Sequence, residues 1–241
     1  GYNTIAENSA ATDGGGIYLK NSGGSIHTSV IAKNSAGIGM GGGIYIKDSS
    51  PDILCNTVVQ NSSPEYGGGI ALFASSSLIA NSIVAFNSSG LIDASNTSSP
   101  TLRYNCYYGN VTNHFANLEQ GTNNILYDPQ FADTAADDYH LTDQSSCIDA
   151  GNNSDLDGGW TDIDGDTRIY NSATVDIGAD ESPYEPTTPP VVQSDIFINA
   201  GADTTTTIIV TLTLSATFPD GSVDSMAFQN LGGPDYYLDK T

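Results

Sequence analysis

The feature that most limits this chain is a double repeat. "GGGIYLK" begins at Gly14, "GGGIYIK" at Gly41 and "GGGIALF" at Gly67, steps of 27 and 26 residues. A second phrase keeps the same beat. "TIAENSA", "VIAKNSA", "TVVQNSS" and "IVAFNSS" place Asn8, Asn34, Asn61 and Asn87 at steps of 26, 27 and 26. Two phrases repeating in phase mean that each unit holds at least two defined segments, the mark of a stacked repeat architecture. The apolar runs within each unit are short and β-branched, and Gly, Ser, Asn and Asp bound them, which is the chemistry of strands and turns. The expected fold is all-β: a right-handed parallel β-helix, a pectate-lyase-like solenoid, whose coils rise by about 4.8 Å, the ordinary spacing between strands. Ile17, Ile44 and Ile70 then form one internal column, and Ile5, Ile31, Val58 and Val84 another. Asn8, Asn34, Asn61 and Asn87 form an amide ladder at a turn.

The repeats fade along the chain, and four regions are expected. Residues 1–119 hold the β-helix coils, the last of them degenerate. Residues 120–182 form a terminal capping region rich in Asp and irregular turns. A proline-rich linker occupies 183–190, and 191–241 read as part of an Ig-like β-sandwich, with "IIVTLTLSA" as a half-buried strand. Gly1 falls inside a repeat, so a piece of a longer chain is expected.

Six Lys and Arg against 28 Asp and Glu give a formal net charge of −22. Such a surface argues against nucleic acid and anionic membrane as partners, and no stretch is apolar enough to span a bilayer. Cys55, Cys106 and Cys147 form no metal-binding spacing. Cys55 reads as a core residue, and a Cys106–Cys147 bridge stays open.

Three groups of residues are candidates for chemistry. Lys20 and Lys47 hold the same place after GGGIY, so stacked coils put two ammonium groups on one face. There they could bind the carboxylates of an acidic polysaccharide, or one in its neutral form could take the proton beside such a carboxylate. His27 and Lys33 are candidate assistants. The plain alternative is that the lysines keep the surface soluble or pair with Asp13 and Asp48. Asp155, Asp157, Asp162, Asp164 and Asp166 could wrap Ca²⁺, although the EF-hand pattern is not met; otherwise they cap turns. Tyr104, Tyr107, Tyr108 and Phe115 could plug the end of the helix, and Tyr107 and Tyr108 could stack on sugars. Acidic residues on the coils do not recur in phase, which weighs against a hydrolase carboxylate pair.

The GGGI and x-x-Asn phrases are similar to the repeats of bacterial polymorphic outer-membrane proteins. The order "DPQF" (128–131), "DYHL" (138–141), "SCIDAG" (146–151), "DIDG" with Arg168, and "DIGADE" (176–181) resembles the terminal choice-of-anchor region of secreted bacterial parallel β-helix proteins. The resemblance implies export and surface display, with no defined reaction. The expected function is display or adhesion, with glycan binding by a monomer and no required cofactor. The alternative is a polysaccharide lyase or glycoside hydrolase acting on an acidic polysaccharide.

Overall fold

The computed structural model describes residues 2–111, 115–116, 121–170 and 174–184, with four short strands beyond them. The chain divides into two compact units, Gly1–Thr187 and Thr188–Thr241.

The first unit is a parallel β-solenoid of about four turns. Its strands in chain order are β1 (Thr4–Ala6), β2 (Ser9–Ala10), β3 (Ile17–Lys20), β4 (Ser25–His27), β5 (Val30–Ala32), β6 (Ser35–Ala36), β7 (Ile44–Lys47), β8 (Asp52–Leu54), β9 (Thr57–Val59), β10 (Ile70–Phe73), β11 (Leu78–Ala80), β12 (Ile83–Ala85), β13 (Leu91–Asp93), β14 (Thr101–Arg103), β15 (Cys106–Tyr108) and β16 (Phe115–Ala116). Fourteen of them form three parallel sheets, β1-β5-β9-β12-β15, β3-β7-β10-β13-β16 and β4-β8-β11-β14, and β2 pairs with β6 in a fourth. Each turn of the chain contributes one strand to each of the first three.

Register confirms the stacked columns. Ile17 pairs with Ile44 and Ile44 with Ile70. Ile5, Ile31, Val58 and Val84 follow one another, and Tyr107 continues that file. A third file, Ile26, Ile53, Ile79 and Leu102, comes from the remaining sheet. The three files meet in one apolar core.

Corners are built from a left-handed residue followed by a polar one. Glu7, Lys33, Gln60 and Phe86 have φ near +55°, each just before a ladder asparagine. For a residue with a side chain this conformation costs about 1–2 kcal/mol. The asparagine offsets it. The Asn61 Oδ1 accepts from the Asn34 backbone N–H at 2.9 Å and from Asn34 Nδ2 at 3.0 Å. Asn87 serves Asn61 in the same way, and Asn110 serves Asn87, extending the ladder by one step. A second corner repeats the device with Ser29, Asn56, Ser82, Asn105 and Asn124.

The triple glycines have divided tasks. Gly14, Gly41 and Gly67 adopt φ of +66°, +68° and +62°. Gly42 is needed for space: a Cβ there would lie 2.2 Å from the Ser62 carbonyl oxygen.

Beyond the parallel bridges of Thr122 to Arg103 and of Ile125 to Cys106 the chain turns back. Residues 126–170 and 174–182 run along the outside of the β1-β5-β9-β12-β15 sheet, including an antiparallel pair, β17 (Phe131–Asp133) and β18 (Asp138–Leu141). Val30, Ala32 and Val59 point outward beneath Tyr139 and Ala179. Ile83, Ala85 and Cys106 lie beneath Leu141, Cys147, Ile148 and Ile177. This stretch covers a flank of the solenoid, where an end cap was expected.

In the second unit, β19 (Phe197–Ile198) pairs antiparallel with β20 (Leu212–Thr213), and β21 (Ser225–Phe228) with β22 (Tyr236–Asp239). Leu212–Thr213 belongs to the expected strand "IIVTLTLSA". Most of that strand, and residues 185–190 of the proline-rich linker, lie outside the described residues.

Candidate functional site

The outer face of the β3-β7-β10 sheet carries the candidate pair Lys20 and Lys47 beside two tyrosines. Alternation along a strand sends Ile17 and Leu19 inward, so Tyr18 and Lys20 face out. Tyr45 and Lys47 follow on β7, and Ala71 and Phe73 on β10, in register. Tyr18 stacks on Tyr45 with ring centroids 5.2 Å apart and planes 16° from parallel. Tyr18 is 46% exposed and Tyr45 only 3%. Burial, helped by Asp13, Tyr18 and Asp48, pushes the Tyr45 phenol up to about 12, so it stays a neutral donor. Lys47 Nζ sits 4.9 Å from the centre of the Phe73 ring, within cation–π range.

Lys20 and Lys47 are register partners, as the repeat requires. The other cations of the described residues are engaged. Lys33 pairs with Asp137, Arg103 with Asp155, and Arg168 is buried with its Nη2 donating to the carbonyls of Asp176 and Gly178. Among the described residues, Lys20 and Lys47 are thus the two Lys or Arg side chains left without either an ion pair or burial. Like charges facing each other across a strand pair are unfavourable. A bound carboxylate between them would relieve that repulsion.

His27 and Lys33 do not join this face. A coil of three sheets turns a corner every few residues, so neighbours in sequence face different directions. His27, on β4, stacks on Trp160 at 4.0 Å between centroids, and burial holds its pKa below the usual value. Lys33 lies at the corner after β5 and pairs with the flanking segment.

The tyrosines also part company. Tyr107 is fully buried, continuing an interior file, and offers no face to a sugar. Tyr108 packs edge-on against Phe86 under the flanking segment, 5.7 Å between centroids. Tyr104 is a corner residue with φ of +53°. The Phe115 side chain lies outside what the structure describes.

The five aspartates do not converge on one point. Asp155 holds Arg103 through both carboxylate oxygens. Asp162 accepts from the N–H groups of Asp164, Asp166 and Glu181, the turn-capping role. Asp157 and Asp166 each offer a backbone carbonyl, to Trp160 and to Asp162. Asp164 alone enters a cluster of ligand-bearing groups, with His140 and Asp180, whose candidate atoms lie within 4.8 Å of one another. His140 is fixed by Asp138 at Nδ1, and its Nε2 lies 3.3 Å from Asp164. Burial works against a charged imidazole here, but Asp138, Asp180 and Asp164 outweigh it and raise the pKa. Asp180, whose Oδ2 accepts from the Leu141 N–H at 2.8 Å, is pushed up to about 6 by burial. Two cavities, of 470 and 450 Å³, border His140 and Asp164. An imidazole with two carboxylates suits a borderline cation better than Ca²⁺, which prefers oxygen alone. His140 and Asp180 lie in the motifs "DYHL" and "DIGADE", whose polar members were the available signal.

Residues 55–158 match a family model described as Disaggregatase related. The match begins at the corner between β8 and β9 and takes in most of the flanking segment. It includes Phe73 and His140, but not Lys20, Lys47, Asp164 or Asp180. No curated protein matches the chain. No solved structure matches it either. Among the described residues, no helix is long and apolar enough to cross a membrane.

Proposed function

We propose that this β-solenoid holds an acidic polysaccharide on the outer face of the β3-β7-β10 sheet, as part of an extracellular or surface-displayed bacterial protein working as a monomer in adhesion. The observation that supports it most is that, in a chain of net charge −22, the two Lys or Arg side chains which among the described residues have neither an ion pair nor burial stand in register, beside the stacked rings of Tyr18 and Tyr45. Tyr18 offers an exposed ring for sugar stacking, and the ammonium groups suit carboxylates at the strand repeat. The resemblance of 128–181 to a choice-of-anchor region, and of 191–241 to an Ig-like spacer, fits display outside the cell.

Affinity electrophoresis in gels containing alginate or polygalacturonate tests the reading. Retardation should be strong at low salt, weaker at high salt and absent on neutral dextran. Lys20→Gln with Lys47→Gln should remove it without altering the thermal transition. Undiminished retardation of that double variant would show that binding, if any, lies elsewhere.

The family match supports a second reading, because its name points to the dispersal of aggregates. In that case the chain would cleave a polysaccharide, with Lys47 as the base of a β-elimination. Release of unsaturated sugars from alginate or pectin, abolished in Lys47→Ala, would establish it. Calcium is a further proposal, with Asp164 as the one expected ligand that has other donors beside it; calorimetric titration of Ca²⁺ into the protein and into Asp164→Asn decides that point.

A further inference from the structure

Cys106 and Cys147 come from different parts of the fold, the last strand of the flanked sheet and the flanking segment. Both are fully buried in the same apolar cluster, with Ile83, Leu141, Ile148 and Ile177. Within that cluster Cys147 is the largest influence raising the pKa of the Cys106 thiol. Cys106 Sγ donates to the Tyr127 carbonyl at 3.2 Å, and the Cys147 carbonyl accepts from the Ile177 N–H at 2.9 Å. Cys55 is elsewhere, at the β8–β9 corner, and is not part of this cluster. Of three cysteines, therefore, two are poised for each other and one is set apart. All three are thiols in this structure.

We propose that Cys106 and Cys147 are a disulfide site, closed while the chain folds in the presence of a disulfide oxidant, and that the bond staples the flanking segment to the last full turn of the solenoid. The Cys106 thiolate attacks one sulfur of the oxidant, forming a mixed disulfide and releasing a thiolate that takes up a proton. The Cys147 sulfur then attacks Cys106, releasing the second thiol. Two electrons and two protons pass from the cysteines to the oxidant, and no other reactant is needed. The order of events follows from burial. In the folded, reduced protein both sulfurs are sealed from solvent, and the Cys106 thiol is held protonated by its neighbours and by burial. Exchange there is slow, because the thiolate is the attacking species. The bond therefore forms before the flanking segment docks.

The test uses the full chain, refolded from denaturant in a glutathione redox buffer and, in parallel, in excess reductant. Trypsin separates the cysteines usefully. Residues 48–103 carry Cys55, and residues 104–168 carry both Cys106 and Cys147. The oxidised sample should hold one free thiol, in fragment 48–103, and fragment 104–168 should be lighter by about 2 Da. Cys55→Ser should keep the bridge, and Cys147→Ser should abolish it. Folded reduced protein given the same buffer should close the bridge at least tenfold more slowly than refolding protein. Reduction should lower the thermal midpoint by roughly 5–15 °C, the range for a structural disulfide in a unit of this size. Three free thiols after oxidative refolding would overturn the proposal. So would a crosslink between fragments 48–103 and 104–168, or glutathione retained on either cysteine.

Discussion

At the scale of single residues, the solenoid depends on polar side chains more than its apolar files suggest. Asn61 is buried and its side chain makes four bonds, receiving two from Asn34 and giving Nδ2 hydrogens to the Ile31 carbonyl and to Asn87. Asn61→Ala leaves several buried groups without partners, and each such group costs about 1–3 kcal/mol. A loss of about 2–4 kcal/mol is expected in urea unfolding, against under about 1 kcal/mol for Asn8→Ala at the exposed end of the ladder. Equal losses at the two positions would mean that the ladder adds nothing beyond local turn geometry. Gly42→Ala tests the other corner device, since the added methyl meets the backbone of Ser62 and Gly68 in the next turn. It should cost about 3 kcal/mol or more, the upper end for overpacking a site that cannot relax. The asparagine ladder was legible because one residue type recurs at one step. The ladder of Ser29, Asn56, Ser82 and Asn105 was not, because a hydroxyl and an amide oxygen do the same work and residue identity hides the shared role. His140, Asp164 and Asp180 were harder still. They lie on a segment without a repeat, so no period marks them as neighbours.

At the scale of elements, the strands of the flanked sheet explain why 126–170 and 174–182 lie where they do. "VIA", "TVV" and "IVA" are apolar or nearly so throughout, without the alternation of a strand that is wet on one side. Strands of that kind need cover on both faces. The inward files were readable from the repeat. The outward set, Val30, Ala32, Val59, Ile83 and Ala85, carried the additional message that something must lie over it. The docking has a built-in reporter. Trp160 is the sole tryptophan, and it lies flat on His27. Burial keeps His27 neutral to a lower pH than a free imidazole. Protonation should quench Trp160 emission with a midpoint below the usual value of about 6.5. His27→Gln should flatten that titration while leaving the fold intact. A Trp160 signal that is insensitive to pH in the wild type would mean that the stack does not persist in solution.

At the scale of the whole unit, charge sets the conditions in which the protein is most stable. Asp176, Asp180 and Glu181 are gathered where the flanking segment ends, and burial pushes them up to about 8, 6 and 7. Mutual repulsion adds to this for Asp176, whereas backbone donors and Arg168 oppose it. A carboxyl with a raised folded pKa contributes stability that is complete below its unfolded value, near 4, and is lost as pH rises through the folded value. Stability should therefore fall between pH 5 and pH 9. Asp137 and Asp138 work in the opposite sense, because Lys33 and His140 hold their pKa values down. Their contribution is lost only below about pH 4, outside this window. His27 adds a loss towards pH 5, so the optimum should lie near pH 5–6 rather than at neutrality. General repulsion in a chain of charge −22 acts in the same direction as the buried acids, but salt separates the two, since exposed charges are screened and buried ones far less so. Urea midpoints at pH 5, 7 and 9, in low salt and in about 0.5 M NaCl, should fall with pH in both, only more gently in salt. Asp176→Asn with Glu181→Gln should remove most of the decline that salt leaves. A midpoint that rises from pH 5 to pH 9 would contradict the buried-acid account, and a decline that salt abolishes completely would assign the effect to the surface instead.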